Sequence, residues 1–180
     1  MIKNRRSFIV GIKSFILNKN EKKFLKNYKP WGVILFSRNI KTLNQCRKLT
    51  NDIRKIFNDK YYPILIDEEG GRVSRLSKII NTSIFTAEFF GNLYKKNKNK
   101  FNIYSKIYVE QMSYILNQMG ININTVPVLD VKRKNSNKVI GDRSFSNNSK
   151  IVSKIGDIFI NLYHKNNIAT VTKHIPGHGL

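Results

Sequence analysis

Pro63-Ile64-Leu65-Ile66-Asp67-Glu68-Glu69-Gly70-Gly71-Arg72 joins an apolar run directly to a polar turn. Ile64, Leu65 and Ile66 show no polar alternation, which marks a strand covered on both faces, as in a parallel sheet under helices. Asp67 then falls at the C-terminal end of that strand. Gly70 and Gly71 let the backbone turn tightly beside it. The same arrangement recurs along the chain. Gly32-Val33-Ile34-Leu35-Phe36 is another apolar run, residues 121–128 lead into Leu129-Asp130, and Ile168-Ala169-Thr170-Val171-Thr172 leads into Lys173-His174-Ile175-Pro176-Gly177-His178-Gly179-Leu180.

Helical patterns separate these strands. Residues 8–12 read as a first short strand and residues 21–28 as a helix closed by Pro30. Residues 42–57 form a helix that Thr42 can cap, with Leu43, Leu49, Ile53 and Ile56 near helical spacing. Residues 73–101 read as a loop with a helical turn or two and a basic tract at its end. Residues 103–119 form a helix that Gly120 is placed to terminate. A long polar connection over 132–145 precedes a helix over 149–166, whose apolar stripe is Ile151, Ile155, Ile158 and Leu162. Strands alternating with crossover helices imply an α/β fold with a parallel sheet of about five strands.

Two architectures fit that order: an open doubly wound sheet, or the first part of an eight-stranded barrel. Polar motifs at several strand ends favour the barrel, whose chemistry lies at that rim. A doubly wound sheet more often carries a Gly-rich phosphate loop, and neither G-x-G-x-x-G nor a P-loop occurs. The expectation is one domain over residues 1–180, an incomplete TIM-type (β/α)8 barrel holding about the first five strands and truncated at its C-terminus.

Lys and Arg number 33 against 11 Asp and Glu, a net charge of +22. The basic residues alternate with Asn along the whole chain, as in Lys95-Lys96-Asn97-Lys98-Asn99-Lys100. That even spread fits an AT-rich coding bias better than a nucleic-acid-binding patch, and no nucleic-acid motif accompanies the charge. Cys46 is alone, so there is no disulfide framework, and its helical context suits a small core residue. The apolar run after Lys3, Arg5 and Arg6 is broken by Lys13 and is short for a signal sequence; no stretch is long enough to span a bilayer. The expectation is a cytoplasmic protein without nucleic-acid or membrane partners.

Five of the 11 acidic residues, Asp67, Glu68, Glu69, Asp130 and Asp142, lie at these strand ends or in the polar connection. Asp67 can accept from sugar hydroxyls or from an Arg, or it can pair with Arg72 as a simple brace. Arg72 and Arg75 are three apart, so one can face a site while the other holds the scaffold. Arg143 offers fixed donors for an oxygen-rich ligand, unless the Asp142-Arg143 turn closes on itself. Lys173 and His174 would point to opposite faces on a strand, and reach one ligand only where the strand has ended. His174 and His178 have the i, i+4 spacing of a helical metal pair, but Pro176-Gly177 between them rules out that helix, and no metal is expected. His164 reads as a surface or core-edge residue.

Taken in order, five segments resemble the glycoside hydrolase family 3 β-N-acetylhexosaminidases: residues 31–39 (WGVILFSRN), 66–76 (IDEEGGRVSRL), 124–131 (NTVPVLDV), 140–146 (IGDRSFS) and 173–179 (KHIPGHG). The resemblance implies a (β/α) barrel of roughly twice this length. It implies removal of terminal non-reducing N-acetyl-β-D-glucosamine from peptidoglycan fragments during cell-wall recycling. It makes Asp67, Arg75, Arg143, Lys173 and His174 the substrate-binding residues. Asp67 and the Lys-His pair would hold ring hydroxyls, and Arg143 would grip the same sugar.

In the family the reaction is retaining, with an Asp nucleophile on a late strand and a His acid/base paired with an Asp on a mobile loop. Both are expected beyond Leu180, so no catalytic residue is assigned here and the chain alone is expected to be inactive. No cofactor is implied. The implied partner is an N-acetylglucosamine-containing muropeptide or chitooligosaccharide, and the expected state is a monomer. Glu68 stands where many relatives have Gln, and Leu180 where many have Asp. Two other readings stay open: a decayed remnant that binds sugar without cleaving it, and a basic nucleic-acid-binding protein. About five strands cannot close an eight-stranded barrel, so exposed edges and an exposed apolar interior are expected.

Overall fold

A computed structural model describes residues 4–133 and 139–178. Five strands, β1 (Arg6–Gly11), β2 (Pro30–Leu35), β3 (Ile64–Ile66), β4 (Ile123–Asn124) and β5 (Ala169–Thr170), form one sheet in the order β1-β2-β3-β4-β5. Every pairing is parallel. Each strand lies beside the next one in the chain. A doubly wound sheet reverses direction at a switch point, whereas sequential order is that of a barrel wall. The sheet is the first five strands of a TIM-type barrel, with β1 and β5 as its edges.

Helices α1 (Lys19–Tyr28), α2 (Leu43–Phe57), α3 (Ala87–Lys96), α4 (Lys98–Met119) and α5 (Ser149–Lys165) fill the crossovers. α1 packs on α2, α2 on α4 and α4 on α5, while α3 lies against α4 and α5. Their apolar sides meet one face of the sheet. Val33, Leu35, Ile64 and Ile66 are buried there with Ile53, Val109, Met112, Leu116 and Ile155. The register puts Gly11, Ile34, Leu65, Ile123 and Ala169 in one row on the other face, the inside of the barrel wall. At the open edges Ile9 is 44% exposed and Val171 40%, as expected of a wall that has not closed.

Local chemistry sets the boundaries. Asn18 caps α1 in a capping box with Glu21, and the helix ends at Lys29 in the left-handed conformation; Pro30 opens β2 rather than closing α1. Thr42 caps α2 by accepting from the Gln45 N–H at 3.1 Å. Gly120 ends α4 with φ +72°, a backbone state that costs glycine little.

The largest departure from the sequence reading lies in residues 73–101. Thr86 caps a full helix, α3, and Asn97 both closes α3 and caps α4. The basic tract is therefore a helix junction, and α4 begins at Lys98 instead of residue 103. β4 is shorter than residues 121–128, because the Val126 N–H turns back to the Asn124 carbonyl at 2.9 Å instead of reaching a neighbouring strand; the pairing resumes as a bridge between Val128 and Lys173. Part of the expected connection over 132–145, residues 134–138, lies outside the described residues. Cys46 is buried in the core, and burial pushes its thiol up to about 12. His164 is exposed, with Nε2 3.1 Å from the Thr170 hydroxyl.

α3 also braces the segment that carries Arg143. A Cβ on Gly91 would run into the Phe145 carbonyl. Gly91→Ala is expected to destabilise the chain by about 1–3 kcal/mol, since neither backbone can yield without shifting an element. Thermal unfolding measures the loss.

Candidate functional site

β3, β4 and β5 end side by side, and the residues that follow them form one polar cluster. Ile66 pairs with Asn124, which brings Asp67 beside Thr125. The Thr125 hydroxyl donates to Asp67 Oδ1. Lys173 Nζ reaches that same oxygen at 2.9 Å and the Thr125 hydroxyl at 3.1 Å. Arg75 Nη2 stands 3.6 Å from Asp67 Oδ2.

Glu69 is the hub. Its side chain is 6% exposed. It receives Arg143 through Nε at 2.7 Å and Nη2 at 2.9 Å, a two-pronged pairing, and Lys173 Nζ at 2.7 Å. Asp130 holds the next residue. It accepts from the His174 backbone N–H at 3.1 Å, from His174 Nδ1 at 2.6 Å and from the His178 N–H at 2.6 Å. With Nδ1 committed to Asp130 as donor, His174 turns Nε2 to within 3.5 Å of Arg143.

Asp67, Arg75, Arg143, Lys173 and His174 thus sit in one connected network. Lys173 and His174 lie beyond the end of β5, where both can turn toward the same place. Arg72 and Arg75 divide the work: Arg72 pairs with Asp142 at 3.0 Å, away from Asp67. Arg143 binds Glu69 rather than its neighbour Asp142. Sequence reasoning flagged Glu69 and Asp130 as rim carboxylates without giving them a place in the site, and did not flag Thr125. Two signals were available: Glu69 lies two residues from Asp67, and Thr125 follows a buried strand.

Three carboxylates, Asp67, Glu69 and Asp130, face three permanent cations, Arg75, Arg143 and Lys173. Burial alone would raise each carboxylate. For Asp67 the donors Thr125 and Lys173 outweigh it, for Glu69 Arg143 and Lys173 do, and for Asp130 the N–H of His178 and the ring of His174 do; all three are held below the ordinary carboxylate range. Arg143 is raised in turn, chiefly by its bonds to Glu69. The cluster is therefore close to electroneutral inside a chain of +22. It offers paired donors and acceptors rather than free cations, which suits an uncharged ligand rich in hydroxyls better than an anion. Arg75 Nε is buried without an acceptor among the described residues. No three His, Cys, Asp or Glu side chains converge as metal ligands among the described residues.

Behind the cluster, Glu68 is fully buried. Its Oε2 accepts from the Arg75 N–H at 2.7 Å, the Leu76 N–H at 3.1 Å and the Ser74 hydroxyl at 3.1 Å, and its Oε1 from the Thr82 hydroxyl at 3.2 Å. It staples the loop that aims Arg75. Burial raises its pKa, and the four bonds only partly offset that. A folded-state carboxyl raised above its unfolded value costs stability as pH climbs from the unfolded to the folded pKa. Glu68→Gln keeps the carbonyl acceptor, and its amide can donate to the Thr82 hydroxyl. It is expected to hold or raise Tm near neutral pH and to flatten the fall in stability as pH climbs above the ordinary carboxylate range. Glu68→Ala orphans the donors at about 1–3 kcal/mol each. Thermal unfolding across that pH range separates the two variants.

Residues 9–180 match the Glycosyl hydrolase family 3 N terminal domain. The chain is 33% identical over 159 residues to Beta-hexosaminidase A of Pseudoalteromonas piscicida, covering 86% of this chain and 26% of that protein. It is 32% identical over 171 residues to a Beta-hexosaminidase of Hydrogenovibrio crunogenus, covering 95% and 47%. Among solved structures, NagZ from Neisseria gonorrhoeae in complex with N-trifluoroacetyl-D-glucosamine superposes with a TM-score of 0.88 at 28% identity, over 98% of this chain and 51% of that one. The chain thus spans about half the length of such relatives, or less. Sequential parallel strands, a rim of paired charges and this match agree: the chain belongs to glycosyl hydrolase family 3.

Proposed function

We propose that this chain is the sugar-binding half of a retaining β-N-acetylhexosaminidase that releases terminal non-reducing N-acetyl-β-D-glucosamine from peptidoglycan fragments. The observation that carries the reading is the electroneutral cluster at the ends of β3, β4 and β5. In it Asp67, Arg75, Arg143, Lys173 and His174 interlock through Glu69, Thr125 and Asp130. Asp67 and Lys173 supply an adjacent acceptor and donor for vicinal ring hydroxyls, Arg143 and His174 reach a further oxygen, and Arg75 closes the side. The relatives named Beta-hexosaminidase, and the NagZ complex with an N-acylglucosamine, support this substrate class.

The same charges argue against a proton-donor role for the carboxylates of this cluster. A glycosidase needs a carboxylic acid or imidazolium poised to protonate the leaving group. Asp67, Glu69 and Asp130 are held ionised, and Glu68, though raised, is sealed behind the loop it staples. The acid/base His and the nucleophilic Asp that the family resemblance implies lie downstream of residue 180 in this reading, in a barrel that the five strands begin. The substrate is then a muropeptide or chitooligosaccharide, handled in the cytoplasm by a monomer.

The test has two parts. The 180-residue chain is expected to bind N-acetylglucosamine in a ligand-observed NMR titration and to leave a chromogenic N-acetyl-β-glucosaminide uncleaved. A chain extended through the downstream half is expected to hydrolyse it. An extended chain that cleaves β-glucosides alone sinks the substrate assignment.

A further inference from the structure

Along the chain the basic residues are spread evenly, but the fold gathers five of them. Lys22, Lys23 and Lys26 on α1, Lys29 at its C-cap and Lys55 on α2 are exposed, and they line two adjoining grooves that share Lys26 and Ile56. None of the five has an ion-pair partner among the described residues. Asp52 is the one carboxylate lining the grooves, and Arg5 at their far end is matched by Asp59. Here cations stand unpaired, whereas at the rim every cation is answered by a carboxylate.

We propose that the groove between α1 and α2 binds the phosphodiester backbone of a nucleic acid, without reading its bases. Lys22 and Lys26 lie one turn apart on α1, about 6 Å at 1.5 Å per residue, and Lys29 follows at the left-handed C-cap just beyond the helix. One helical turn is close to the spacing of successive phosphates along one backbone, so each lysine can meet a phosphate of its own. Lys55 reaches in from the opposite helix. A polymer backbone can lie in such a groove, while the flat surface of a bilayer meets only its lips. The free lining cations are all lysines, mobile point charges suited to salt-labile phosphate contact rather than the planar two-pronged recognition of Arg. The groove runs down the outside of the wall to Asn4, Arg5 and Lys29, where α1 gives way to β2. That is the end of the barrel opposite the sugar cluster, so the two sites can act independently.

Fluorescence anisotropy of labelled single- and double-stranded oligonucleotides of about 20 residues, titrated with the 180-residue chain, tests this. Binding is expected near 50 mM NaCl, and log K is expected to fall against log salt with a slope of about −3 to −4.5, for some four or five phosphate contacts. The triple variant Lys22→Glu, Lys26→Glu, Lys55→Glu is expected to lose at least about tenfold in affinity. A control triple on α5, Lys150→Glu, Lys154→Glu, Lys165→Glu, changes the net charge equally and is expected to lose less than about twofold. All six positions are exposed, so both variants are expected to fold, which circular dichroism verifies. Equal losses in the two triples overturn the proposal in favour of a diffuse positive field. No binding at low salt also overturns it. Tighter, groove-dependent binding to phosphatidylglycerol vesicles makes the occupant a lipid surface and overturns it too.

Discussion

Glu69→Ala is expected to cost about 3–5 kcal/mol of folding stability, the loss that follows when one partner of a buried ion pair is removed. Glu69 is 6% exposed and stands between two cations, Arg143 and Lys173. Without it, those two face each other in a poorly hydrated place, and only Asp67 remains to hold Lys173. For a chain of this size the loss corresponds to a fall in Tm of about 6–20 °C. Added salt is expected to recover little of it, because buried charges are weakly screened. Glu69→Gln keeps the shape and one acceptor, and falls between wild type and Ala. Arg143→Ala leaves Glu69 its bond to Lys173 and is expected to cost less than Glu69→Ala. The double variant Glu69→Ala, Arg143→Ala is expected to cost less than the sum of the singles. Urea unfolding of the four variants measures all of this, and additive losses would remove Glu69 from the centre of the network.

Asp67→Asn is expected to act on ligand binding instead. Asp67 is 21% exposed and sits at the mouth of the cluster, so its loss disturbs the core little. Its carboxylate accepts from the Thr125 hydroxyl and Lys173 with Arg75 close by, and a sugar hydroxyl is a further donor to the same oxygens. The Kd for N-acetylglucosamine is expected to rise at least about a hundredfold, about 3 kcal/mol, the scale of hydrogen bonds to a charged group. Lys173→Met is expected to do the same from the donor side. The pH dependence carries a sign. Asp67 and Glu69 are held below the ordinary carboxylate range, so their contribution is complete above that range and is lost as pH falls through the depressed values. Binding is therefore expected to persist through mild acid and to fail at lower pH, together with stability. NMR titration at several pH values reads both.

Much of this was legible in the sequence. The apolar runs at Val33 to Leu35 and Ile64 to Ile66 could only be buried strands, and the polar residues after each run placed a rim. Asp67, Arg75, Arg143, Lys173 and His174 stood in motifs, and the fold brings them together. What stayed hidden has physical causes. α3 was masked because Lys95 to Lys100 looks like a solvated tract, whereas it spans a helix end, an Asn cap and the next helix start. The true length of β4 turned on Val126, whose N–H bends back to the Asn124 carbonyl in a run that otherwise reads as continuous. Thr125 and Asp130 gained their roles from register and from the bend after β5, distances in space that spacing along the chain does not encode. The same applies to Lys22, Lys26 and Lys55, which folding sets along one groove.

A crystal structure of the chain with N-acetylglucosamine tests the central claim most directly. The sugar is expected to lie over the ends of β3, β4 and β5, with ring hydroxyls within hydrogen-bonding distance of Asp67 and Lys173 and a further oxygen near Arg143 and His174. A sugar bound elsewhere, or a cluster whose Asp67–Lys173 and Glu69–Arg143 pairs stay closed and untouched at saturating sugar, would contradict it.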